Sequence, residues 1–223
     1  MSRYERNFPA ISPEEQALLA EKRVLVAGCG GLGGYIVEFL GRIGVGHLTV
    51  VDGDVFSDSN LNRQLLSSEE TLGRPKPLCA RERMSFVNPN VEVLSVCALI
   101  TDDNAGELLS GHDVAVDALD NGPSRIVLAR AAHRLGIPLV SGAISGWRGR
   151  VFTVLPGDNA EFLWGGGAGV TSGNLCFTAS CTASVQAAET VKLLLSRQAL
   201  LHGRFLEFDL LSGSWEEIPL ALG

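Results

Sequence analysis

Residues 22–52 read KRVLVAGCGGLGGYIVEFLGRIGVGHLTVVD, and the spacing of their apolar positions changes twice. Lys22–Ala27 is a short apolar run that halts at glycines, the pattern of a parallel strand buried on both faces. From there the apolar residues fall at Leu32, Tyr35, Ile36, Phe39, Leu40 and Ile43, which is helical spacing with one apolar face. Gly44 and Gly46 end that helix, and His47–Val51 predicts a second strand closing on Asp52. The unit is strand, glycine turn, helix, strand. Its turn, Gly28-Cys29-Gly30-Gly31-Leu32-Gly33, fits G-x-G-x-x-G. Glycines there let the backbone turn tightly and approach a phosphate, which the helix N-terminus stabilises. Asp52 stands where a carboxylate can accept hydrogen bonds from ribose hydroxyls. The turn predicts nucleotide binding without choosing between a dinucleotide and ATP.

Working outward, a polar loop runs from Gly53 to about Arg74, and Pro75 and Pro77 sit where a helix can begin. Leu78–Val87 predicts that helix, Val91–Cys97 a strand, Asp102–Leu109 a short helix and Asp113–Asp117 a buried strand. Ser124–Leu135 reads as a helix and Pro138–Ser141 as the next strand. The fold expected is α/β: a Rossmann-like, doubly wound, mainly parallel sheet. The C-terminal part differs, with a strand at Arg150–Leu155, a Gly-rich stretch over 156–174 and a long helix over Leu175–Arg197. An antiparallel hairpin of Arg204–Leu210 and Trp215–Ile218 closes the chain. Residues 1–223 are expected to form one domain: an N-terminal arm (1–21), a nucleotide-binding core (22–143) and a crossover loop, long helix and hairpin (144–223). The Gly-rich stretch, with much backbone freedom and little to bury, is expected to be mobile until a substrate tail threads beneath it.

Composition narrows the partners. The 223 residues are 46% hydrophobic and 19% charged, with a formal net charge of -7, so no broad nucleic-acid-binding surface is expected. No apolar stretch is long enough for a membrane span and the N-terminus lacks a secretory h-region, which reads as a soluble, cytoplasmic protein. The five cysteines form no C-x-x-C pair, so neither a disulfide framework nor a structural zinc is expected. No histidine has ligand spacing.

The residues after the first βαβ unit favour a triphosphate. Asp58-Ser59-Asn60-Leu61-Asn62-Arg63-Gln64 follows Asp52 closely, then Gly73-Arg74-Pro75-Lys76, and beyond the fourth strand Asp117-Ala118-Leu119-Asp120-Asn121. Arg and Lys neutralise phosphate oxygens and an aspartate can hold Mg²⁺, whereas nothing here resembles an acid/base pair for hydride transfer. Other readings stay open: Asp52 as a strand-end carboxylate, Arg63 and Lys76 as surface charges, Asp120 as a helix N-cap.

The ordered set GCGGLG, VDGD, SNLNRQ, GRPK and DALDN resembles the ThiF/MoeB/HesA superfamily, bacterial relatives of ubiquitin-activating enzymes. The likeness runs from Arg3-Tyr4-Glu5-Arg6-Asn7 to Gln186-Ala187-Ala188-Glu189. It implies an adenylyltransferase that uses Mg-ATP to activate the C-terminal glycine of a small β-grasp sulfur-carrier protein with a Gly-Gly tail, releasing pyrophosphate, in thiamine or molybdopterin synthesis. By that resemblance Gly28, Gly30, Gly31 and Gly33 form the nucleotide loop, with Gly31 against the nucleotide, and Asp52 binds the ribose. Asn60, Arg63 and Lys76 contact phosphates, and Asp120 is the magnesium ligand with Asn121 beside it. Asp54, Ser59 and Asn62, inside the same motifs, are nucleotide-binding candidates with them. Arg6 resembles the family's N-terminal arginine that reaches the neighbouring subunit's ATP, which implies a homodimer.

Two departures stand out: the paired C-x-x-C zinc motifs of many members are absent, and Glu161–Asn174 holds no cysteine for sulfur transfer or a thioester. Cys176 and Cys181 come later, and because a helix N-terminus activates a thiol, Cys176 is the better candidate. The competing functions are an NAD-dependent oxidoreductase, a non-catalytic partner, and a related enzyme activating a different substrate, such as a tRNA base or a peptide carboxylate.

Overall fold

The computed structural model describes residues 3–158, 163–164 and 172–220. Its helices are α1 (Pro13–Ala20), α2 (Gly33–Ile43), α3 (Lys76–Val87), α4 (Ala105–Leu109), α5 (Gly122–Leu135) and α6 (Cys176–Leu194). Its strands are β1 (Arg23–Ala27), β2 (His47–Val51), β3 (Glu92–Val96), β4 (Val114–Asp117), β5 (Leu139–Ser145), β6 (Arg148–Val154), β7 (Arg204–Asp209) and β8 (Ser214–Pro219). All eight strands join one sheet in the order β3-β2-β1-β4-β5-β6-β7-β8. The first five run parallel and β5 to β8 pair antiparallel, as the sequence predicts.

Alternation along β1 builds the two faces of the sheet. Val24 and Val26 point into one apolar cluster, with α2, α3 and α6. Leu25 and Ala27 point into the other, with α4 and α5. A strand buried on both faces reads as a continuous apolar run, which is why the sequence shows no polar alternation there. The chain winds outward from β1 through β2 to β3 and in the other direction through β4 to β5. The strand order therefore reverses between β1 and β4, and a crevice opens beyond their C-terminal ends.

Two elements depart from expectation. The N-terminal arm contains α1, whose Ser12 side chain accepts from Glu15 N–H while Glu15 caps Ser12 in return. That capping box, with Pro13 behind the cap, is a sequence-level start signal. The long helix is the other. It ends at Leu194 rather than Arg197 because Ser196 takes a left-handed φ of 55°. Its buried face is Thr178, Ala179, Thr182, Ala183, Gln186, Ala187, Glu189 and Thr190, small and polar rather than leucine-rich. The helix sits so close to β5 and β6 that a Cβ at Gly142 would lie 2.3 Å from Gln186 Oε1, and one at Gly149 2.3 Å from Thr182 Oγ1. Thr153 Oγ1 and the Leu201 N–H both donate to Glu189 Oε2, at 3.0 and 2.8 Å.

Phe56, fully buried, anchors the long loop after β2: its N–H donates to Arg74 O at 3.0 Å and its carbonyl accepts from Gly73 N–H at 2.8 Å. Within the Gly-rich 156–174 stretch, 159–162 and 165–171 lie outside the described residues, and with them most of the segment expected to be mobile.

A Cβ on residue 33 would stand 1.9 Å from Gly28 O, which is main chain and has nowhere to go. Gly33→Ala is expected to lose at least about 2 kcal/mol of stability, as overpacking does. Gly106→Ala, in α4 with nothing within 4 Å, is expected to be neutral or to gain up to about 1 kcal/mol. Urea unfolding of the pair checks the contrast.

Candidate functional site

The crevice is a cleft of ≈ 640 Å³ lined by the turn after β1, the end of β2, Arg63, Gln64 and Lys76 from the long loop and α3, and the β4–α5 connection. The four motif glycines divide by task. Gly28 has φ +92°, and a Cβ there would meet Ala118 O at 2.6 Å; with Gly33, it is required by the protein's own packing. Gly30 and Gly31 are different. A Cβ at Gly30 would touch nothing nearer than Gln64 Nε2 at 3.5 Å, and one at Gly31 nothing nearer than Arg63 Cγ at 3.7 Å. Both face the cleft, leaving a backbone cradle that a side chain would fill and that a nucleotide's phosphates fit.

Asp52 closes one wall. Its Oδ2 accepts from Cys29 N–H at 2.7 Å and its Oδ1 from Asp54 N–H at 2.8 Å, which fixes the carboxylate at the cleft with lone pairs left over for a hydroxyl. Lys76 is the first residue of α3, buried at 5% exposure. Its ammonium pairs with Asp54 Oδ2 at 3.2 Å, an aspartate whose side chain is largely exposed. A cation at the positive end of a helix opposes the macrodipole, so this lysine is placed against its local preference.

The SNLNRQ segment splits. Arg63 and Gln64 line the cleft, whereas Ser59, Asn60 and Asn62 do not. Arg63 Nη1 donates to Ser59 O at 2.9 Å and to Asn62 Oδ1 at 2.8 Å, and among the described residues no carboxylate pairs with it. Asn60 is buried and its Oδ1 accepts from Ser57 N–H at 3.0 Å, capping the short turn Asp58–Asn60. Asn62 Nδ2 donates to Asn174 O at 3.1 Å, tying the segment to the residues before α6. In this structure these three position Arg63 and its loop. Gly33 and Arg6 also lie off the cleft lining, with Arg6 exposed in the turn Glu5–Asn7.

Across the cleft, Asn121 and not Asp120 caps α5, its Oδ1 accepting from Ser124 N–H at 3.0 Å. Asp120 is thereby left exposed at the mouth, with only a 3.4 Å contact from Asn121 Nδ2 to its Oδ1. Among the described residues no group of three or more His, Cys, Asp or Glu could hold a metal alone. A magnesium bound by one carboxylate plus substrate phosphates needs no such cage, and Asp120 fits that part.

The motif reading missed the floor of the site. Asp117, fully buried, accepts from Ser141 Oγ at 2.6 Å and Leu119 N–H at 3.0 Å, and pairs with Arg125 Nε at 3.6 Å. Arg125 in turn donates to Leu119 O (2.9 Å from Nε) and to Gly142 O (3.0 Å from Nη2). One guanidinium thus fixes the loop that carries Asp120 against β5. The usable signal was helical geometry: Arg125, four residues after the cap Asn121, lies on the first turn of α5.

The cysteines separate by environment. Cys29 and Cys79 are buried, Cys97 and Cys176 exposed, Cys181 between. Burial and then the Asp52 charge push the Cys29 thiol far up, and burial raises Cys181. Cys176, the first residue of α6, sits near Tyr35, whose phenol is raised by burial and then by that thiol. It lies outside the cleft lining, although Asn174 belongs to it.

Residues 3–222 match the ThiF family. The chain is 36% identical over 236 residues to the SAMP-activating enzyme E1 of Haloferax volcanii, covering 98% of this chain and 85% of that protein. It is 42% identical over 153 residues to the sulfur carrier protein adenylyltransferase of Thermus thermophilus, covering 68% of this chain and 56% of the relative. Among solved structures, Escherichia coli MccB matches with a TM-score of 0.87 at 18% identity over 100% of this chain and 71% of that one, a likeness of fold.

Arg125→Ala leaves Asp117 buried without its cation and is expected to cost about 3 kcal/mol in urea unfolding. In thiol labelling of native protein at pH 8, Cys97 and Cys176 are expected to react first and Cys181 more slowly. Cys29, whose raised pKa keeps it a neutral thiol, should react only on unfolding.

Proposed function

The chain belongs to the ThiF family, and from that premise we propose that it is an ATP-dependent adenylyltransferase acting on the C-terminal carboxylate of a small sulfur-carrier protein. One observation carries the reading: the open Gly30–Gly31 cradle, Arg63, Lys76 and Asp120 line a single cleft at the point where the strand order reverses. The names of the Haloferax and Thermus relatives support it, and neither speaks for a nicotinamide-dependent oxidoreductase.

In this mechanism Asp52 holds the ribose and the cradle receives the phosphates. Arg63 and Lys76 neutralise them, and Asp120 holds Mg²⁺, which supplies further charge neutralisation to the triphosphate. A carrier carboxylate oxygen attacks the α-phosphorus in line. The new bond is the mixed anhydride P–O, the bond that breaks joins the α-phosphorus to its bridging oxygen, and pyrophosphate leaves with that electron pair. The attacking carboxylate is already ionised, so no general base is required. Alignment and charge neutralisation provide the rate.

The finer assignments belong to the same proposal. A β-grasp carrier with a Gly-Gly tail, the substrate that the family resemblance implies, is the carrier proposed. Arg6, exposed and outside its own cleft, suits a homodimer in which it serves the partner copy. All described strands join one sheet, which supports reading residues 1–223 as one adenylation domain. The five free cysteines suit a reducing cytoplasm, and no helix among the described residues is long and apolar enough to cross a membrane.

The test is ATP–pyrophosphate exchange with Gly-Gly-tailed carriers and a tail-less control. Exchange is expected to need the tail, to vanish in Asp120→Ala, and to fall about a hundredfold or more in Arg63→Ala and Lys76→Ala. Exchange that survives Asp120→Ala unchanged would remove the magnesium assignment, and ATP binding without exchange would point to a different substrate.

A further inference from the structure

Gln64 follows Arg63 in the segment already described, yet none of the roles above uses it. Its main chain is pinned: its N–H donates to Asn60 O at 2.9 Å, and its carbonyl accepts from Ser67 N–H at 2.9 Å and Ser67 Oγ at 2.7 Å. Its side chain is in the opposite condition. Gln64 is only 7% exposed, and Oε1 is enclosed with no hydrogen-bond partner. Among the described residues its Nε2 has none either, although a carboxamide offers two donors and an acceptor with two lone pairs. The enclosed Oε1 is an acceptor that no phosphate oxygen can serve, so the group an anion can engage is the unpartnered Nε2 donor.

The direction of the carboxamide places that donor. Nε2 lies 3.5 Å from where a Cβ on Gly30 would sit, with Cδ at 3.7 Å and Oε1 at 3.9 Å. The amide therefore runs alongside the glycine that faces the cleft without a packing reason of its own, and Gln64 lines the same cleft. An anion seated on the Gly30–Gly31 cradle comes within reach of a neutral N–H₂ donor whose main chain is already fixed. We propose that Gln64 is a nucleotide contact, donating from its side-chain amide to a phosphate oxygen of the bound triphosphate. The inference rests on the adenylyltransferase reading and extends it. Arg63 and Lys76 balance the charge, whereas Gln64 adds direction without adding charge, because an amide N–H demands a particular oxygen where a cation tolerates many.

Calorimetric titration of wild type, Gln64→Met and Gln64→Glu with ATP, inorganic tripolyphosphate and adenosine tests it, with thermal unfolding run on each variant. The expected result is a loss of about tenfold or more for ATP and tripolyphosphate. The loss should be larger for Gln64→Glu, whose carboxylate repels the ligand, and adenosine binding should be unchanged. In wild-type protein, with no substitution at all, the Gln64 side-chain amide protons are expected to shift in NMR spectra on addition of ATP. Equal ATP affinity in wild type and Gln64→Met, or an amide resonance that ignores ATP, overturns the contact and leaves the adenylyltransferase reading intact. A loss shared by adenosine also overturns it, since the side chain would then only shape the cleft. Wild-type protein that binds no ATP removes the broader reading, and this inference falls with it.

Discussion

The site depends on one close approach. The Gly28 carbonyl occupies the place a side chain on residue 33 would take, so the first turn of α2 rests directly on the end of β1. With even one methyl group between them the helix would stand off, and its N-terminal N–H groups would no longer face the crevice. The same turn sets Cys29 N–H on the Asp52 carboxylate and Gly28 against Ala118. The ends of β1, β2 and β4 are thereby drawn to one point. Everything that lines the cleft is positioned from that junction outward.

The parallel core was legible because it is simple physics: apolar runs stopped by glycine, alternating with one-faced helices. α6 was legible as a helix but not in its packing. Its buried face is threonine, glutamine, glutamate and alanine, and periodicity of apolar residues carries no information about a helix that docks through hydrogen bonds and glycine gaps. α1 carries a clear start signal at Ser12-Pro13-Glu14-Glu15, inside the segment read only as an N-terminal arm.

For the site, Asp52, Arg63, Lys76 and Asp120, singled out by motif order, line one cleft. That order does not say which residues of a motif reach that cleft. Asn60 and Asn62 look like ligand groups in a one-dimensional string, while in three dimensions they face a turn and a neighbouring segment. Arg125 and Asp117 were invisible for the converse reason. Arg125 donates to main-chain carbonyls of Leu119 and Gly142 while Asp117 accepts from Leu119 N–H and Ser141 Oγ, and which of these groups come together is a property of topology. Lys76 lies between these cases: its presence was legible, and its burial against an exposed Asp54 was not. That arrangement leaves the ammonium paired with a carboxylate at the wall of the cleft.

The polar face of α6 has a consequence for how the molecule is made. Gln186 Nε2 donates to the main-chain carbonyl of Asp117 at 2.8 Å, across 69 residues of sequence. The floor beneath the magnesium candidate is therefore completed by a side chain near the end of the chain. On a ribosome, the glycine turn, Asp52, Arg63 and Lys76 all emerge long before their cleft has a finished base. Nucleotide can meet a complete pocket only after α6 has been synthesised and released. The ability to bind is thus a late event in the life of each molecule, and a chain interrupted before that helix carries the motifs without the site.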